Sequence, residues 1–173
     1  MNNVSFGGLA HANDEAASRS NRHRVIDHKQ PRRALDCYKR VTMLEVTDAT
    51  LRVIFGDTDQ MGVVYYANYF RYFEFARGEF FRARGGHYGA LEREGYGLPV
   101  VAAHCDYRRP AKYDDLLSIR ATLSETRRAS LRFDYEVRRD EALLATGHTV
   151  HACVGRDGKP TGLPPSLLKL FTA

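Results

Sequence analysis

Two aspartates and a glycine stand close together in GDTDQMGVVYYANY, residues 56–69, just ahead of a strongly aromatic segment. Asp57 and Asp59 follow a short strand candidate, and a predicted helix begins near Tyr66. The start of a helix carries unpaired backbone N–H groups and a partial positive charge, which favour an oxygen that gains negative charge. A carboxylate facing such a site can attack a thioester as a nucleophile or activate water as a general base.

Thioester chemistry suits this pattern because the leaving thiol, whose pKa is about 8.5, departs as a thiolate without a strong general acid. Gly62 would let the chain pass close to a ligand. A structural interpretation explains the same residues, since Asp-Thr-Asp before a helix commonly forms a turn with Asx-type hydrogen bonds, and glycine supplies a positive φ. Composition alone favours this structural interpretation and leaves the catalytic one open.

The aromatic segment predicts a helix over residues 66–84, with Asn68 as a candidate cap. Phe75 lies nearly opposite the other aromatic side chains, so we expect a sheet to enclose this helix. The aromatic residues predicted to share one side are Tyr66, Tyr69, Phe70, Phe73, Phe80 and Phe81.

Five strands are predicted around this helix. Residues 49–56 precede it, a loop with a helical turn around Leu91 follows, and four strand patterns come next, at residues 98–111, 115–126, 130–140 and 142–156. Inward-facing positions are Leu117, Ile119, Ala121, Leu123, Leu131, Phe133, Tyr135 and Val137. The fold class is therefore α+β, an antiparallel sheet wrapped around one long central helix, with edge strands free to pair with a second chain.

Composition excludes several classes of protein. The chain of 173 residues fits one domain, and its longest apolar run, LPVVAA, is far shorter than the roughly 20 residues that cross a bilayer. No secretory signal is visible. Cys37, Cys105 and Cys153 are odd in number and fit no metal or disulfide framework. We expect a reduced, cytoplasmic protein without a transmembrane segment.

The positive charge is concentrated near the N-terminus. Residues 1–42 hold eight Lys/Arg and four Asp/Glu, so +4 of the net charge of +5 precedes Met43. The nearly neutral remainder argues against a nucleic-acid partner. We expect residues 1–42 to be a disordered tail, or an artefact of start-site choice with translation beginning at Met43, and residues 43–173 to form the domain.

Three strings carry a resemblance to a known family: FGDTDQMGVVYYANYFRYFEFAR, DYRRPAKYDDLLSI and RRASLRFDYEV. They resemble the 4-hydroxybenzoyl-CoA thioesterase family, the hot-dog fold group that includes YbgC-type acyl-CoA thioesterases, over residues 45–172. The resemblance implies hydrolysis of an acyl- or aroyl-CoA to the acid and coenzyme A, with no cofactor. It also implies a homo-oligomer, a dimer or homotetramer, with active sites at subunit interfaces.

The resemblance also assigns site residues. It implies that Asp59 is the catalytic carboxylate and that the backbone N–H of Tyr66 binds the thioester carbonyl. YbgC-type members typically carry His where this chain has Tyr66, so any role of that His is not transferred and the substrate stays open. Gly62 and Val63 are expected beside the substrate, and Glu74 is a candidate for the acyl pocket, although a helix carboxylate is commonly solvated.

Arginines offer candidate contacts to the phosphates of coenzyme A. Arg108 and Arg109 cluster with Lys112, and Arg128 follows Arg127 at a strand junction. Solvated arginines at hairpin ends are an equally simple interpretation.

A metal site is not expected, because His148 and His151 point to opposite faces of their strand. The competing hypothesis is a non-catalytic hot-dog module that binds an acyl group or a protein partner. A dehydratase would need a His paired with the acid, and the signature contains none.

Overall fold

The computed structural model describes residues 45–171, which form an antiparallel sheet with one long helix across one face. The boundary predicted after residue 42 lies outside these residues. In chain order the elements are β1 (Glu45–Arg52), a 3₁₀ turn (Phe55–Asp57), α1 (Asn68–Arg82), α2 (Tyr88–Glu94), β2 (Val100–Tyr107), β3 (Leu116–Arg127), β4 (Ser130–Arg139), β5 (Ala142–Ala152) and α3 (Pro165–Lys169).

The strands lie in the order β1-β3-β4-β5-β2, and every neighbouring pair is antiparallel. The register places Ile119 opposite Val137 and Leu123 opposite Phe133, so apolar side chains of adjacent strands share one face. All eight positions predicted to face inward on β3 and β4 are buried. The predicted α+β architecture is confirmed, with β1 and β2 as the two edges of the sheet.

Aromatic side chains join α1 to the sheet. Phe73 and Phe80 are fully buried. The ring of Phe73 stacks on Tyr135 with centroids 4.4 Å apart, and Phe80 meets Phe133 edge-on at 5.0 Å. Burying a side chain of this size contributes about 1.5–3 kcal/mol, so this row of contacts determines where the helix lies. Among helices within residues 45–171, none combines the length and apolar character that spanning a membrane requires.

A buried chain of hydrogen bonds also ties α1 to the sheet. Arg77 Nη1 donates to the Tyr135 hydroxyl at 3.1 Å, and that hydroxyl lies 2.9 Å from Thr149 Oγ1. Thr149 Oγ1 in turn lies 2.9 Å from His151 Nε2, whose other ring nitrogen lies 3.1 Å from the Leu98 carbonyl. Burial, together with the charge of Arg77, lowers the pKa of His151 to about 4, so the ring is neutral at pH 7.

The structure corrects three details of the helix. Asn68 is not a cap: the N-cap is Ala67, and the Asn68 amide instead donates to the Asp57 carbonyl at 2.9 Å. Phe75 is 38% exposed, because within one chain the sheet covers only one side of α1. Tyr66 precedes the helix and is largely exposed, whereas Tyr72 is buried.

Gly147 on β5 is required where Phe73 approaches the sheet. A Cβ at this position would lie 2.6 Å from the Phe73 ring and 2.4 Å from the backbone oxygen of His104 on β2. Neither neighbour can move freely, since one belongs to the stacked aromatic row and the other to the strand ladder. The closeness of α1 to β5 therefore depends on the absence of a side chain at Gly147.

We predict that Gly147→Ala lowers the free energy of unfolding by about 1–3 kcal/mol, because the methyl group overpacks the contact between α1 and the sheet. Gly56→Ala is the matched control, since a Cβ there meets nothing within 4 Å. Urea unfolding followed by circular dichroism measures both. Equal stability of the two variants would contradict this account of the packing.

Candidate active site

The loop between the 3₁₀ turn and α1 is a tight turn held by hydrogen bonds of Asp59. Its backbone N–H donates to the Val63 carbonyl and its carbonyl accepts from the Gly62 N–H, both at 2.9 Å. Its carboxylate oxygen Oδ1 accepts from the Met61 N–H at 2.8 Å. Gly62 has a φ of +70°, as the turn interpretation predicts. These bonds fix the direction of the Asp59 carboxylate, and among the described residues they engage one of its two oxygens.

Asp57 is buried and connects this loop to the helix. Its carboxylate accepts from the Tyr72 hydroxyl at 2.9 Å and from Arg71 Nη1 at 3.2 Å. Its backbone carbonyl accepts from the Tyr65 N–H and from the Asn68 amide, both at 2.9 Å. Burial, then the hydrogen bond and charge of Asp57, raise the pKa of Tyr72, which therefore stays a donor. Asp57 thus holds the turn, in agreement with the structural interpretation of Asp-Thr-Asp for this residue.

A cavity of about 320 Å³, here called the Asp59 cavity, opens beside this loop. It is bounded by the loop, by the first turn of α1 and by the end of β2. Asp59 is half-buried at its wall. The residues that line it are Asp59, Met61, Val63, Val64, Tyr66, Tyr69, Tyr107, Arg108, Arg109 and Pro110.

Within residues 45–171, two backbone donors at the start of α1 have no acceptor. The N–H groups of Asn68, Tyr69 and Phe70 donate to carbonyls three residues earlier, at 2.9, 3.4 and 3.2 Å. For the N–H groups of Tyr66 and Ala67, residues 45–171 provide no hydrogen-bond acceptor. The Ala67 cap supplies no side-chain oxygen either. An oxygen placed beside Tyr66 would find free donors and the positive end of the helix.

Of the predicted substrate-binding residues, Val63 and Arg108 line the Asp59 cavity, whereas Gly62 only shapes the turn beside it. Arg108 and Arg109 both donate their backbone N–H to the Leu144 carbonyl, at 2.8 and 3.1 Å, where β2 ends. Arg128 lies in the turn between β3 and β4, near Ala152. Leu144 and Ala152 lie eight residue steps apart along the strand, which is about 26 Å. One chain therefore does not bring Arg108 and Arg128 to one site.

Glu74 lies in a different cavity of about 550 Å³ between α1 and the end of β1. Arg52, Arg71 and Phe75 line that cavity with it, on the side of α1 away from β2. Within one chain the structure does not bring Glu74 to Asp59. The side chains of a helix point in several directions around its axis. Helical spacing alone did not reveal whether Glu74 points towards the loop of Asp59.

Histidine placement follows the strand alternation. His151 is buried under α1, and His148 stacks on His104 across the outer face, with ring centroids 5.4 Å apart. The prediction that His148 and His151 occupy opposite faces is confirmed. Over residues 45–171, no three His, Cys, Asp or Glu side chains are grouped so that they could hold a metal ion.

Sequence reasoning missed one tyrosine of the Asp59 cavity as a site residue. Tyr69, one of the aromatic residues predicted to share a side of the helix, lines the cavity, and its hydroxyl accepts from the Ala111 N–H at 3.3 Å. Tyr107 was not considered at all, although its hydroxyl donates to the Tyr66 carbonyl at 3.1 Å. The sequence feature that could have identified Tyr107 as a site residue was its position at the end of the strand that leads to Arg108 and Arg109.

An antiparallel sheet wrapped around one long helix, with a carboxylate loop leading into that helix, defines the hot-dog fold of thioesterases. The sequence model of the Thioesterase-like superfamily matches residues 53–171, and the chain belongs to this family. The family resemblance seen in the sequence is thereby confirmed.

Relatives and solved structures agree with this assignment. The chain is 33% identical over 123 residues to the acyl-CoA thioesterase YbgC of Haemophilus influenzae, covering 70% of this chain and 90% of that protein. It is 35% identical over 106 residues to the 1,4-dihydroxy-2-naphthoyl-CoA hydrolase of Synechococcus elongatus, covering 60% and 78%. A crystal structure of a hypothetical protein from Aquifex aeolicus superposes with a TM-score of 0.70 at 35% identity, covering 72% and 98%.

We predict that Asp57→Asn lowers the free energy of unfolding by about 1–3 kcal/mol, because the amide can still accept from Tyr72 but presents an N–H₂ group towards Arg71. Asp114→Asn is the control, since its carboxylate pairs with Arg52 at the surface, where such pairs contribute about 1 kcal/mol or less. Thermal and urea unfolding compare the variants. A loss for Asp57→Asn no larger than for Asp114→Asn would show that Asp57 does not anchor the loop.

Proposed function

We propose that this protein hydrolyses the thioester of an acyl- or aroyl-coenzyme A, releasing the carboxylic acid and free coenzyme A. The observation that carries the proposal is that Asp59 and Tyr66 line the same cavity. Within residues 45–171, one carboxylate oxygen of Asp59 and the backbone N–H of Tyr66 have no hydrogen-bond partner. The Haemophilus and Synechococcus relatives are hydrolases of coenzyme A thioesters, which supports this substrate class.

The backbone N–H of Tyr66 receives the thioester carbonyl oxygen in this mechanism. As the carbonyl carbon is attacked, its oxygen gains negative charge, and a donor already fixed in place stabilises that charge without reorganisation. The positive end of α1 adds to the stabilisation. No side chain is needed for this role, so it does not depend on the side chain at position 66.

Asp59 then acts in one of two ways. As a nucleophile, its free oxygen adds to the carbonyl carbon, the C–S bond breaks, and water hydrolyses the resulting mixed anhydride. As a general base, it takes a proton from the water that adds to the carbonyl carbon, and the same C–S bond breaks. In both routes the electron pair of the C–S bond leaves with the coenzyme A sulfur. Water supplies the new oxygen of the acid where it attacks the acyl carbon, as it does in the general-base route.

The remaining lining residues suit the two ends of the substrate. Arg108 and Arg109 lie at the wall of the Asp59 cavity and are proposed to meet phosphate oxygens of coenzyme A. Val63, Tyr66 and Tyr69 provide an apolar and aromatic surface that accommodates either an aryl group or a short fatty chain. Glu74 and Arg128 could join such a site only if a second chain contributes them.

A homo-oligomer is proposed because β2 is an edge strand left uncovered. The backbone of α1 approaches β2 at fewer positions than it approaches β1 or β3. Seven of the eight β2 residues are exposed, including Val100, Val101 and Ala103. Pairing of β2 with β2 of a second copy would cover this apolar strand and bring two Asp59 cavities close to the interface. A dimer and a homotetramer built from such dimers both satisfy this arrangement.

A reducing, cytoplasmic location is proposed on the chemistry of the thiols. Cys105 and Cys153 are both free in the structure, and burial raises the pKa of each thiol, which keeps them protonated.

We predict that Asp59→Asn reduces thioester hydrolysis by about 10²- to 10⁴-fold, because the amide can neither attack the carbonyl nor accept a proton from water. Thiol release from a panel of aryl-, short-chain and long-chain acyl-CoAs measures the rate for wild type and variant. Asp140→Asn, an exposed residue of the turn between β4 and β5, is the matched control. Absence of hydrolysis by folded wild type across the panel would favour the non-catalytic binding module.

We predict that Ala103→Lys weakens the oligomer. An antiparallel β2–β2 pair about a twofold axis places the middle of the strand opposite its own copy, so the two lysines would repel each other. Size-exclusion chromatography with light scattering should show a smaller particle than wild type. Thr50→Lys on β1, the opposite edge, should leave the mass unchanged. The reverse pattern would place the interface at β1 instead.

A further inference from the structure

Tyr107 makes a long-range contact at the start of α1. It is the last residue of β2, and its hydroxyl donates to the backbone carbonyl of Tyr66 at 3.1 Å, across 41 positions of the chain. The only other donor to that carbonyl within residues 45–171 is the Tyr69 N–H, at 3.4 Å. The Tyr107 hydroxyl is therefore the closer of the two groups that hold the Tyr66 carbonyl.

This bond restrains the peptide unit that carries one of the free donors. The Tyr66 carbonyl and the Ala67 N–H belong to one planar, trans peptide unit, so they point in opposite directions. Holding the carbonyl towards β2 fixes the direction of the Ala67 N–H. It also limits rotation about the Tyr66 backbone and so orients the Tyr66 N–H on the preceding peptide unit.

The Tyr107 side chain, which donates this hydrogen bond, is itself held in place. The Tyr107 ring meets the Tyr69 ring edge-on, with centroids 5.2 Å apart and an interplanar angle of 79°. Tyr69 is in turn buried and bonded to the Ala111 N–H. Burial, and after it the neighbouring Cys105, Tyr69 and Tyr66, raise the pKa of Tyr107. The phenol therefore keeps its proton, and with it the hydrogen bond, throughout the neutral and mildly alkaline range.

We propose that Tyr107 is a positioning residue for thioester hydrolysis: its hydroxyl holds the peptide unit between Tyr66 and Ala67, just before α1, so that the N–H groups of Tyr66 and Ala67 face the substrate carbonyl. The inference rests on the proposed function and adds a residue outside the Asp59 loop and the helix. Tyr107 acts through the Tyr66 backbone, and its contribution falls on stabilisation of the developing oxyanion rather than on binding of coenzyme A.

The variant that tests this is Tyr107→Phe, which removes the hydroxyl and keeps the ring contact with Tyr69. We expect kcat to fall about 3- to 10-fold, as the loss of one hydrogen bond predicts, with KM changed less than twofold. Tyr113→Phe is the matched control, because Tyr113 is an exposed tyrosine whose ring meets Phe55 outside the Asp59 cavity. It should hydrolyse the same acyl-CoA at the wild-type rate.

A second readout separates positioning from a general structural effect. In the Asp59→Asn background, the infrared stretch of a ¹³C-labelled thioester carbonyl reports how strongly the bound substrate is polarised. We expect the band to lie below that of free acyl-CoA, and to move back towards it when Tyr107→Phe is added. A loss of fold stability alone would leave the band of bound substrate unmoved.

The outcomes distinguish the two claims. Active wild type with Tyr107→Phe at the same kcat, or with an unmoved carbonyl band, would overturn the role of Tyr107 and leave the proposed function intact. Folded wild type without hydrolysis of any acyl-CoA would overturn the proposed function, and the role of Tyr107 with it. A fall in kcat together with the band shift, absent from Tyr113→Phe, would support the positioning role.

Discussion

The buried carboxylate of Asp57 is the interaction on which the candidate site depends. Its oxygens accept from Tyr72 and Arg71 of α1, and its backbone carbonyl accepts from the Asn68 amide at the first residue of the helix. A buried charge without such partners would be costly, so these contacts stabilise the observed arrangement of the loop. That arrangement delivers Asp59, two residues later, to the wall of the cavity at the start of α1.

The two aspartates of one short loop thus have different environments and different roles. Asp57 is only 5% exposed and has its acceptor capacity used by the helix. Asp59 is half-buried, and in the part of the chain that the structure describes its side chain makes one hydrogen bond, to the Met61 N–H. A carboxylate saturated with donors is well suited to hold structure, whereas one with an open oxygen beside unpaired N–H groups can meet a reactant. The packing of α1 supports these different roles of Asp57 and Asp59. The stacked contact of Phe73 with Tyr135, which Gly147 permits, determines where α1 lies beside the loop.

Local patterns predicted most of the fold. Alternation on β3 and β4 identified their buried face, since the two-residue period of a strand leaves little choice once one face is covered. Contacts between distant segments were less accessible. The bond from Tyr107 to the Tyr66 carbonyl depends on how β2 ends beside the helix, and the separation of Glu74 from Asp59 depends on how α1 is rotated on the sheet. Asn68 has the residue type of a cap but is drawn to the Asp57 carbonyl, a tertiary contact that overrides the local preference.

The most direct test of the central claim is a crystal structure of Asp59→Asn with an intact acyl-CoA bound. We expect the thioester carbonyl oxygen to lie about 3 Å from the backbone nitrogen of Tyr66, with the side chain at position 59 facing the carbonyl carbon. The coenzyme A part of the bound ligand should extend out of the cavity past Arg108 and Arg109. A thioester bound away from the start of α1, with the Tyr66 N–H hydrogen-bonded to water or to protein, would contradict the account.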